Sequence, residues 1–121
     1  MSIIDKLNAI PDVDIDEGTY KYIQIRVKSS IDGSAEKIVI RGKNGCEYHA
    51  DVFDMTHKQI ETLGFTADPI GGGRIRHNPN DKTIFIYGYS IGFGRADHTI
   101  SVEKVKKAYP GYEVTYSDDG Y

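Results

Sequence analysis

The sequence predicts an α+β fold, a single domain over residues 1–121 in which two helices pack on a central mixed sheet of about five or six strands. Short runs that alternate between apolar and polar residues recur along the chain, and such runs are typical of strands. Two longer segments repeat their apolar residues every three or four positions, which indicates amphipathic helices. With 121 residues, 39% of them hydrophobic, the chain is long enough for one core and too short for two.

The alternating runs predict strands on both sides of a glycine-rich segment. They are, in chain order, an edge strand within Asp12 to Asp16, then Tyr20 to Lys28, Lys37 to Gly42, Phe65 to Ile70, Arg74 to His77, Thr83 to Ser90 and Glu113 to Ser117. Pro69 interrupts the fourth run, and the following Gly71-Gly72-Gly73 indicates a bulge or a close approach between backbones. Thr83 to Ser90 has apolar residues on both faces, so we expect a central strand that is covered on both sides.

Lys21 occupies an informative position on the strand Tyr20 to Lys28. Ile23, Ile25 and Val27 share one face of this strand, and Lys21 has the same parity at its end. Its amine either reaches the rim of the core along an apolar stem or points into a pocket as a cation. Strand parity leaves both interpretations open.

His49 lies just before the first predicted helix. That helix runs from Val52 to Leu63, and Gly64 follows it, where a left-handed C-cap belongs. Asp51 is expected to cap the first helical amides. His49 then lies close to a helix N-terminus, where the helix dipole disfavours an imidazolium and favours an anion. We therefore expect a neutral, basic histidine that is suited to chemistry on a phosphoryl group.

A second glycine-containing segment, Ser90-Ile91-Gly92-Phe93-Gly94, complements this histidine. It lacks the lysine and the second hydroxyl of the nucleotide-binding P-loop. Successive amides after a strand can nevertheless form a nest for an anion. The alternative is a turn with a purely structural role.

The remaining elements are simpler. Ser101 is the expected N-cap of a second helix, Val102 to Tyr109, which Pro110 ends. Ile3 to Ile10 is weakly periodic, which favours an extended or short helical lead-in.

The charge balance excludes some classes of function. The chain has 15 basic and 18 acidic residues, a net charge of −3, whereas nucleic-acid-binding domains usually carry a basic excess. It contains no apolar run long enough to span a bilayer and no signal-peptide pattern. We therefore expect a cytoplasmic, monomeric protein that binds neither nucleic acid nor membrane.

The cysteine and histidine pattern predicts no metal and no other cofactor. Cys46 is the only cysteine, so an intramolecular disulfide is impossible. It precedes His49 by three residues, which allows a Cys/His nucleophile pair, although a small, partly buried thiol is the simpler interpretation. His57, His77 and His98 lack the helical spacing of a metal site and are expected to be structural.

Six segments along the chain form a recognisable set. They are Ile10-Pro11-Asp12-Val13-Asp14-Ile15-Asp16, Tyr48-His49-Ala50-Asp51, Gly71-Gly72-Gly73-Arg74-Ile75, Tyr87-Gly88-Tyr89-Ser90, Tyr109-Pro110-Gly111-Tyr112-Glu113-Val114-Thr115 and Asp119-Gly120-Tyr121. In this order and spacing they resemble the protein histidine phosphatase (Janus/Ocnus) family. Three departures are visible. Gly92 stands where vertebrate members have alanine, the segment Phe65 to Ile70 lacks the cysteines that those members carry, and the loop Ser29 to Glu36 is shorter.

The resemblance implies a cytoplasmic, metal-independent phosphatase that removes phosphate from phosphohistidine in proteins. It places the catalytic role on His49. It places the phosphate-binding roles on Lys21, Arg41, Ala50, Ser90, Ile91 and Gly92, with Arg74 near the site.

Two questions stay open at this point. His49 either deprotonates a water molecule or attacks phosphorus itself and becomes transiently phosphorylated. The alternative function is a non-catalytic phosphoprotein-binding or regulatory module that uses the same anion pocket.

Overall fold

The computed structural model describes residues 2–31, 33 and 35–118, and within them six strands form one sheet accompanied by three helices. The elements are α1 (Ile3–Ala9), β1 (Val13–Ile15), β2 (Gly18–Ser29), β3 (Glu36–Gly42), α2 (His49–Thr62), β4 (Phe65–Asn78), β5 (Thr83–Tyr87), α3 (His98–Ala108) and β6 (Glu113–Tyr116). The segment Asp119-Gly120-Tyr121, which contributed to the family resemblance, lies outside the described residues.

The strand order in the sheet is β1-β3-β2-β4-β5-β6. β1 pairs with β3 in parallel, and β6 pairs with β5 in parallel, whereas the pairs between them are antiparallel. The predicted α+β class and mixed sheet are confirmed, as is the edge strand near Asp14. The lead-in to this strand is the short helix α1, whose first turn is capped by Ser2, which accepts from the Asp5 N–H.

Each face of the sheet has its own apolar core. Ile23, Ile25 and Val27 of β2 are fully buried on one face, where α1 and α2 pack. Tyr22 of β2 belongs to the other core, where α3 packs. The predicted alternation of β2 is therefore confirmed, and because both of its faces are covered, successive residues contact different layers of the molecule.

β4 differs most from the prediction. It is a single strand of 14 residues that continues through Pro69 and the three glycines. Pro69 is opposite Ile25 and Gly71 is opposite Gln24, so Ile70 is the extra residue of a bulge. Proline is tolerated inside this sheet because the bulge interrupts the regular ladder at that point. The predicted bulge is confirmed, and the predicted break between two strands is wrong.

α2 begins at His49, three residues earlier than expected. The Asp51 carboxylate accepts from the Tyr48 N–H at 2.9 Å, and the Asp51 N–H donates to the Tyr48 carbonyl at 3.0 Å. Asp51 thus closes the first turn from inside the helix instead of preceding it. His49 is consequently the first helical residue.

α3 also begins earlier than expected, at His98. Asp97 is its N-cap and accepts from the Thr99 N–H at 3.1 Å. Ser101, the expected cap, is fully buried inside the helix. Both Asp97 and Ser101 are residue types that cap helices, and the buried hydrogen bonds of Ser101 decide the outcome in favour of Asp97.

β5 ends at Tyr87, and only one of its two faces is fully buried. Ile84 and Ile86 are fully buried, whereas Phe85 and Tyr87 are half-buried and stack on each other with ring centroids 5.1 Å apart. The strand lies between β4 and β6, but the expectation that it is covered on both sides is wrong. None of the helices in the described ranges is long and apolar enough to cross a membrane.

Candidate active site

A cavity of about 370 Å³ opens where β2, α2 and the segment after β5 meet. Its lining consists of Lys21, Tyr48, His49, Ala50, Ser90, Ile91, Gly92 and Phe93. The structure therefore brings together the predicted base His49, the predicted cation Lys21 and the segment Ser90 to Gly94, called the anion loop below, although they are far apart in the chain. Tyr48 and Phe93 were not predicted to line the site, and their adjacency to His49 and Gly92 was the available signal.

His49 is held in a defined tautomer. Its side chain is buried, with 6% exposed for the residue, and its Nε2 lies 2.8 Å from the Gly73 carbonyl oxygen. A carbonyl can only accept, so Nε2 carries the proton and donates it to Gly73. Nδ1 is then the basic nitrogen, and no described residue makes a hydrogen bond to it.

The surroundings of His49 lower its pKa below the ordinary value of 6.5. Burial is the largest cause, because it disfavours the charged imidazolium, and the positive charges of Lys21 and Arg74 act in the same direction. The hydrogen bond to Gly73 opposes this shift. The imidazole is therefore neutral at pH 7, as a base must be before it accepts a proton.

The glycines of β4 make room for the imidazole. A Cβ atom on Gly72 would lie 2.8 Å from Cδ2 of His49 and 2.8 Å from the Tyr22 carbonyl oxygen, which is closer than real contacts allow. The backbone of β4 thus passes directly beside the ring, and the carbonyl of the neighbouring Gly73 accepts its hydrogen bond. The expected close approach is confirmed at these glycines.

The segment after β5 forms a tight loop with two unused donors. Ser90 and Gly94 bond to each other through their backbones in both directions, at 3.1 and 2.8 Å, and the Phe93 N–H donates to Ser90 Oγ at 3.1 Å. The N–H groups of Ile91 and Gly92, in contrast, have no hydrogen-bond partner among the described residues. Two adjacent, unused amides at a turn are the elements of an anion nest.

Lys21 and Arg74 supply positive charge beside the cavity. They are directly opposite each other in the pairing of β2 with β4, and Lys21 lies in the cavity wall. Arg74 lies outside this lining, but its charge contributes to the lowered pKa of His49. Because Lys21 lines the cavity and its charge lowers the pKa of His49, the structure favours the orientation toward a pocket over the alternative.

Comparison with known proteins identifies the family. The model of the Janus/Ocnus family matches residues 7–113 of the 121-residue chain. The chain belongs to the Janus/Ocnus family. It is 45% identical to the 14 kDa phosphohistidine phosphatases of Sus scrofa and of Homo sapiens, over 126 aligned positions that cover all of each protein. It is 46% identical to the sex-regulated protein janus-A of Drosophila pseudoobscura pseudoobscura, over 95% of this chain and 80% of the relative.

The structure does not bring Arg41 to the His49 cavity of this Janus/Ocnus chain. Arg41 is buried, and its guanidinium donates to the carbonyls of Ile40 and Pro11 at 2.9 and 2.8 Å. It lies in the wall of a different cavity, of about 660 Å³, between α1 and α2. Arg41 is paired with Ile23 in the register of β3 with β2, so the two side chains share a face of the sheet.

Cys46 is not part of the site. Its thiol contacts the Met55 sulfur at 3.9 Å, and burial, followed by the charges of Asp51 and Asp16, raises its pKa. A raised pKa opposes the thiolate that a nucleophile needs. Cys46 is also outside the cavity lining, so the structure gives no support to a Cys/His nucleophile pair.

A buried chain of hydrogen bonds connects the sheet with α3 and reaches the turn before the anion loop. His98 Nε2 lies 2.8 Å from the Gly88 carbonyl, to which it must donate, so His98 Nδ1 accepts from the Tyr22 hydroxyl at 2.6 Å. Tyr22 in turn accepts from Ser101 at 3.0 Å, and Ser101 accepts from the Gln24 amide at 2.7 Å. Sequence analysis missed this network because its members are separated by up to 79 positions.

The other histidines have structural contacts. His77 lies 2.8 Å from the Asp16 carbonyl, and His57 lies 3.5 Å from the Glu61 carboxylate on the surface of α2. Within the described residues, no three His, Cys, Asp or Glu side chains are grouped so that they could hold a metal ion.

Proposed function

We propose that this Janus/Ocnus protein is a phosphohistidine phosphatase that hydrolyses the P–N bond of phosphohistidine in proteins without a metal ion. The observation that carries the proposal is the His49 imidazole, which is neutral, has its basic Nδ1 unengaged and shares a cavity with a lysine and two unused amides. Full-length relatives that are 45% identical and are named phosphohistidine phosphatase support it.

The phosphoryl group would be bound by donors from three elements. Lys21 supplies a positive charge from β2, and the Ile91 and Gly92 amides supply hydrogen bonds from the loop that Ser90 anchors. The Ala50 N–H belongs to the first turn of α2, where amides have no intrahelical partner. Arg74 adds positive charge from β4. Arg41 is left out of this set because its guanidinium lies in the other cavity.

The reaction requires charge stabilisation and an in-line nucleophile, because the substrate imidazole is a good leaving group once protonated. In the general-base route, water attacks phosphorus, its proton passes to Nδ1 of His49, and the P–N bond breaks. In the covalent route, Nδ1 attacks phosphorus while the substrate P–N bond breaks and the substrate imidazole leaves with the bonding electron pair, and water then hydrolyses the new P–N bond. We propose the general-base route, since a positioned neutral base is sufficient for it.

The decisive experiment measures phosphate release from a protein that carries phosphohistidine. We expect release by the wild type, with or without a chelator, and a loss of at least about 100-fold for His49→Ala. His57→Ala, which changes a half-buried histidine of the same helix that lies outside the cavity lining, is the matched control and should keep wild-type activity. Binding of the phosphoprotein by the wild type without any release would instead identify a non-catalytic module.

A rapid-quench experiment with labelled phosphohistidine separates the two routes. The general-base route transfers no label to the enzyme. Label recovered on His49 before phosphate is released would establish the covalent route.

We also propose that the protein acts as a monomer in the cytoplasm and binds neither nucleic acid nor membrane. Its edge strands support the monomer, since β1 has three residues and is flanked by Asp12 and Asp16, and charged, short edges resist pairing with a second sheet. A free, half-buried thiol at Cys46 suits a reducing compartment.

A further inference from the structure

Two apolar side chains at the His49 cavity are largely exposed to solvent. Ile91 is 86% exposed and Tyr48 is 61% exposed, and both contribute to the cavity lining. Phe93, in the same lining, is half-buried and packs toward Phe53 with ring centroids 6.2 Å apart. Exposed apolar groups that cluster at a binding site are a common mark of an interaction surface.

The cavity is larger than the phosphoryl group requires. Its volume of about 370 Å³ lies in the range of pockets that enclose whole small molecules. The donors assigned to phosphate are backbone amides and the Lys21 amine, none of which belongs to the side chains of Ile91 or Tyr48. In a bound substrate, the residues next to phosphohistidine would therefore face the exposed side chains of Ile91 and Tyr48.

We propose that Ile91 and Tyr48 form a docking rim for the polypeptide that carries phosphohistidine, and that the rim selects substrates with apolar residues next to it. The inference rests on the proposed function and specifies its substrate class. An apolar flanking residue would cover Ile91 and remove its surface from water, whereas a small P–N compound has no flanking residue that could do so. The rim therefore favours peptide and protein substrates over small phosphoramidates.

The test compares two substrates in each variant. One is a peptide with leucine on both sides of phosphohistidine, and the other is phosphoramidate, which has the P–N bond and no polypeptide. For Ile91→Ser and for Tyr48→Ser, we expect the ratio of kcat/KM between peptide and phosphoramidate to fall about tenfold, because one buried apolar side chain is lost from the complex.

The chain offers matched controls for both changes. Ile31 is 84% exposed and Tyr116 is 44% exposed, and neither lies in the cavity lining. Ile31→Ser and Tyr116→Ser should leave the ratio unchanged. All four side chains are on the surface, so each variant is expected to fold, which circular dichroism verifies.

An unchanged ratio in Ile91→Ser and Tyr48→Ser would overturn the inference, and so would an equal loss on both substrates. A dimeric wild type that becomes monomeric in these variants would show that the rim binds a second copy instead. If the wild type hydrolysed neither substrate, the proposed function would fail separately. Binding titrations of Tyr48→Ser with the peptide and with inorganic phosphate would still test the rim, since peptide affinity should fall and phosphate affinity should not.

Discussion

His49 is an unusual histidine because one hydrogen bond and one close contact determine which of its nitrogens can react. The donation from Nε2 to Gly73 leaves Nδ1 as the base, and burial keeps the ring neutral. A ring that could flip would present either nitrogen, whereas β4 passing beside Cδ2 restricts this freedom. The chemistry of the site is therefore set largely by the backbone of a single strand.

The lowered pKa of His49 predicts the pH dependence of the reaction. The neutral form is active, so activity is lost only as the pH falls through the folded-state pKa, and the acidic limb of kcat/KM should lie below pH 6.5. Lys21 lowers this pKa by repulsion, so Lys21→Met should move the limb to higher pH while reducing activity. A pH-rate profile measures both effects.

Lys58→Met provides the control for this profile. Lys58 is exposed on α2 and is not among the causes of the His49 shift. Its removal should leave the acidic limb in place. A limb above pH 6.5 in the wild type would contradict the assignment of His49 as the base.

At the scale of single residues, the sequence predicted which residues form the site better than it predicted where their side chains lie. Lys21, His49 and the loop of Ser90 were selected by their residue type and by their place at the end of a strand or helix, and the structure brings them to one cavity. Arg41 was placed in the site by the family resemblance. Its guanidinium donates to the carbonyls of Ile40 and Pro11 instead, and the position of Pro11 beside β3 is a long-range contact that no local pattern of the sequence predicts.

Among the elements, β4 is the one on which the site depends most. Its glycines lie between the imidazole of His49 on one face and that of His98 on the other, since a Cβ on Gly73 would lie 2.8 Å from Cε1 of His98. Side chains are excluded here by contacts on both faces of the sheet. A stretch of strand made only of glycines, as at Gly71 to Gly73, can pack against polar groups on both of its faces at once.

Gly72→Ala should therefore impair both stability and activity. Its new methyl group would overlap the His49 ring and the Tyr22 carbonyl, and crowding of this kind typically costs about 1–3 kcal/mol. Chemical denaturation measures the loss of unfolding free energy, and the phosphohistidine assay should show a lower kcat as the ring is displaced.

Gly92→Ala is the matched control for this change. Gly92 has an ordinary backbone conformation, and a Cβ atom there would meet nothing within 4 Å. This variant should keep the stability of the wild type, and its activity should remain measurable because the Gly92 amide is preserved. Equal damage from both substitutions would contradict the role given to the close approach at Gly72.

The helix boundaries show where local signals compete. Asp51 and Ser101 were both expected to precede a helix, but each lies inside one. A capping residue type has several possible partners within a few positions, and packing chooses among them. The interior of α2 and α3 was identified correctly because apolar periodicity extends over several turns, whereas a cap rests on one or two hydrogen bonds.

Across the whole molecule, the hydrogen-bond chain from Gln24 to Gly88 joins the central strands to α3 and to the segment that leads into the anion loop. Each side chain in this network has a hydrogen-bond partner. Removing one hydroxyl from such a chain leaves buried partners unsatisfied, which costs about 1–3 kcal/mol.

Tyr22→Phe should accordingly lower the free energy of unfolding by about 1–3 kcal/mol, because His98 Nδ1 and Ser101 would lose their partner. Tyr87→Phe is the control, since no described residue makes a hydrogen bond to the Tyr87 hydroxyl. Denaturant titration of both variants measures the difference. Similar stabilities for the two would indicate that the buried chain contributes little.

The α+β class could be predicted because it follows from local periodicity, whereas the strand order could not. The parallel addition of β1 to β3 and of β6 to β5 joins segments that are distant in the chain, and no local pattern encodes such pairings. Pro69 shows the same difficulty on a smaller scale. A proline argues against a strand until the bulge that accommodates it is known.

The anion loop has a consequence for mutational surveys. Its donors at residues 91 and 92 belong to the main chain, and every amino acid except proline brings the same N–H group. Replacement of these residues by alanine would leave both groups intact, so a side-chain scan would pass over this part of the site. Substitution of an ester for the amide at either position would expose it, since that change deletes a donor while keeping the side chain.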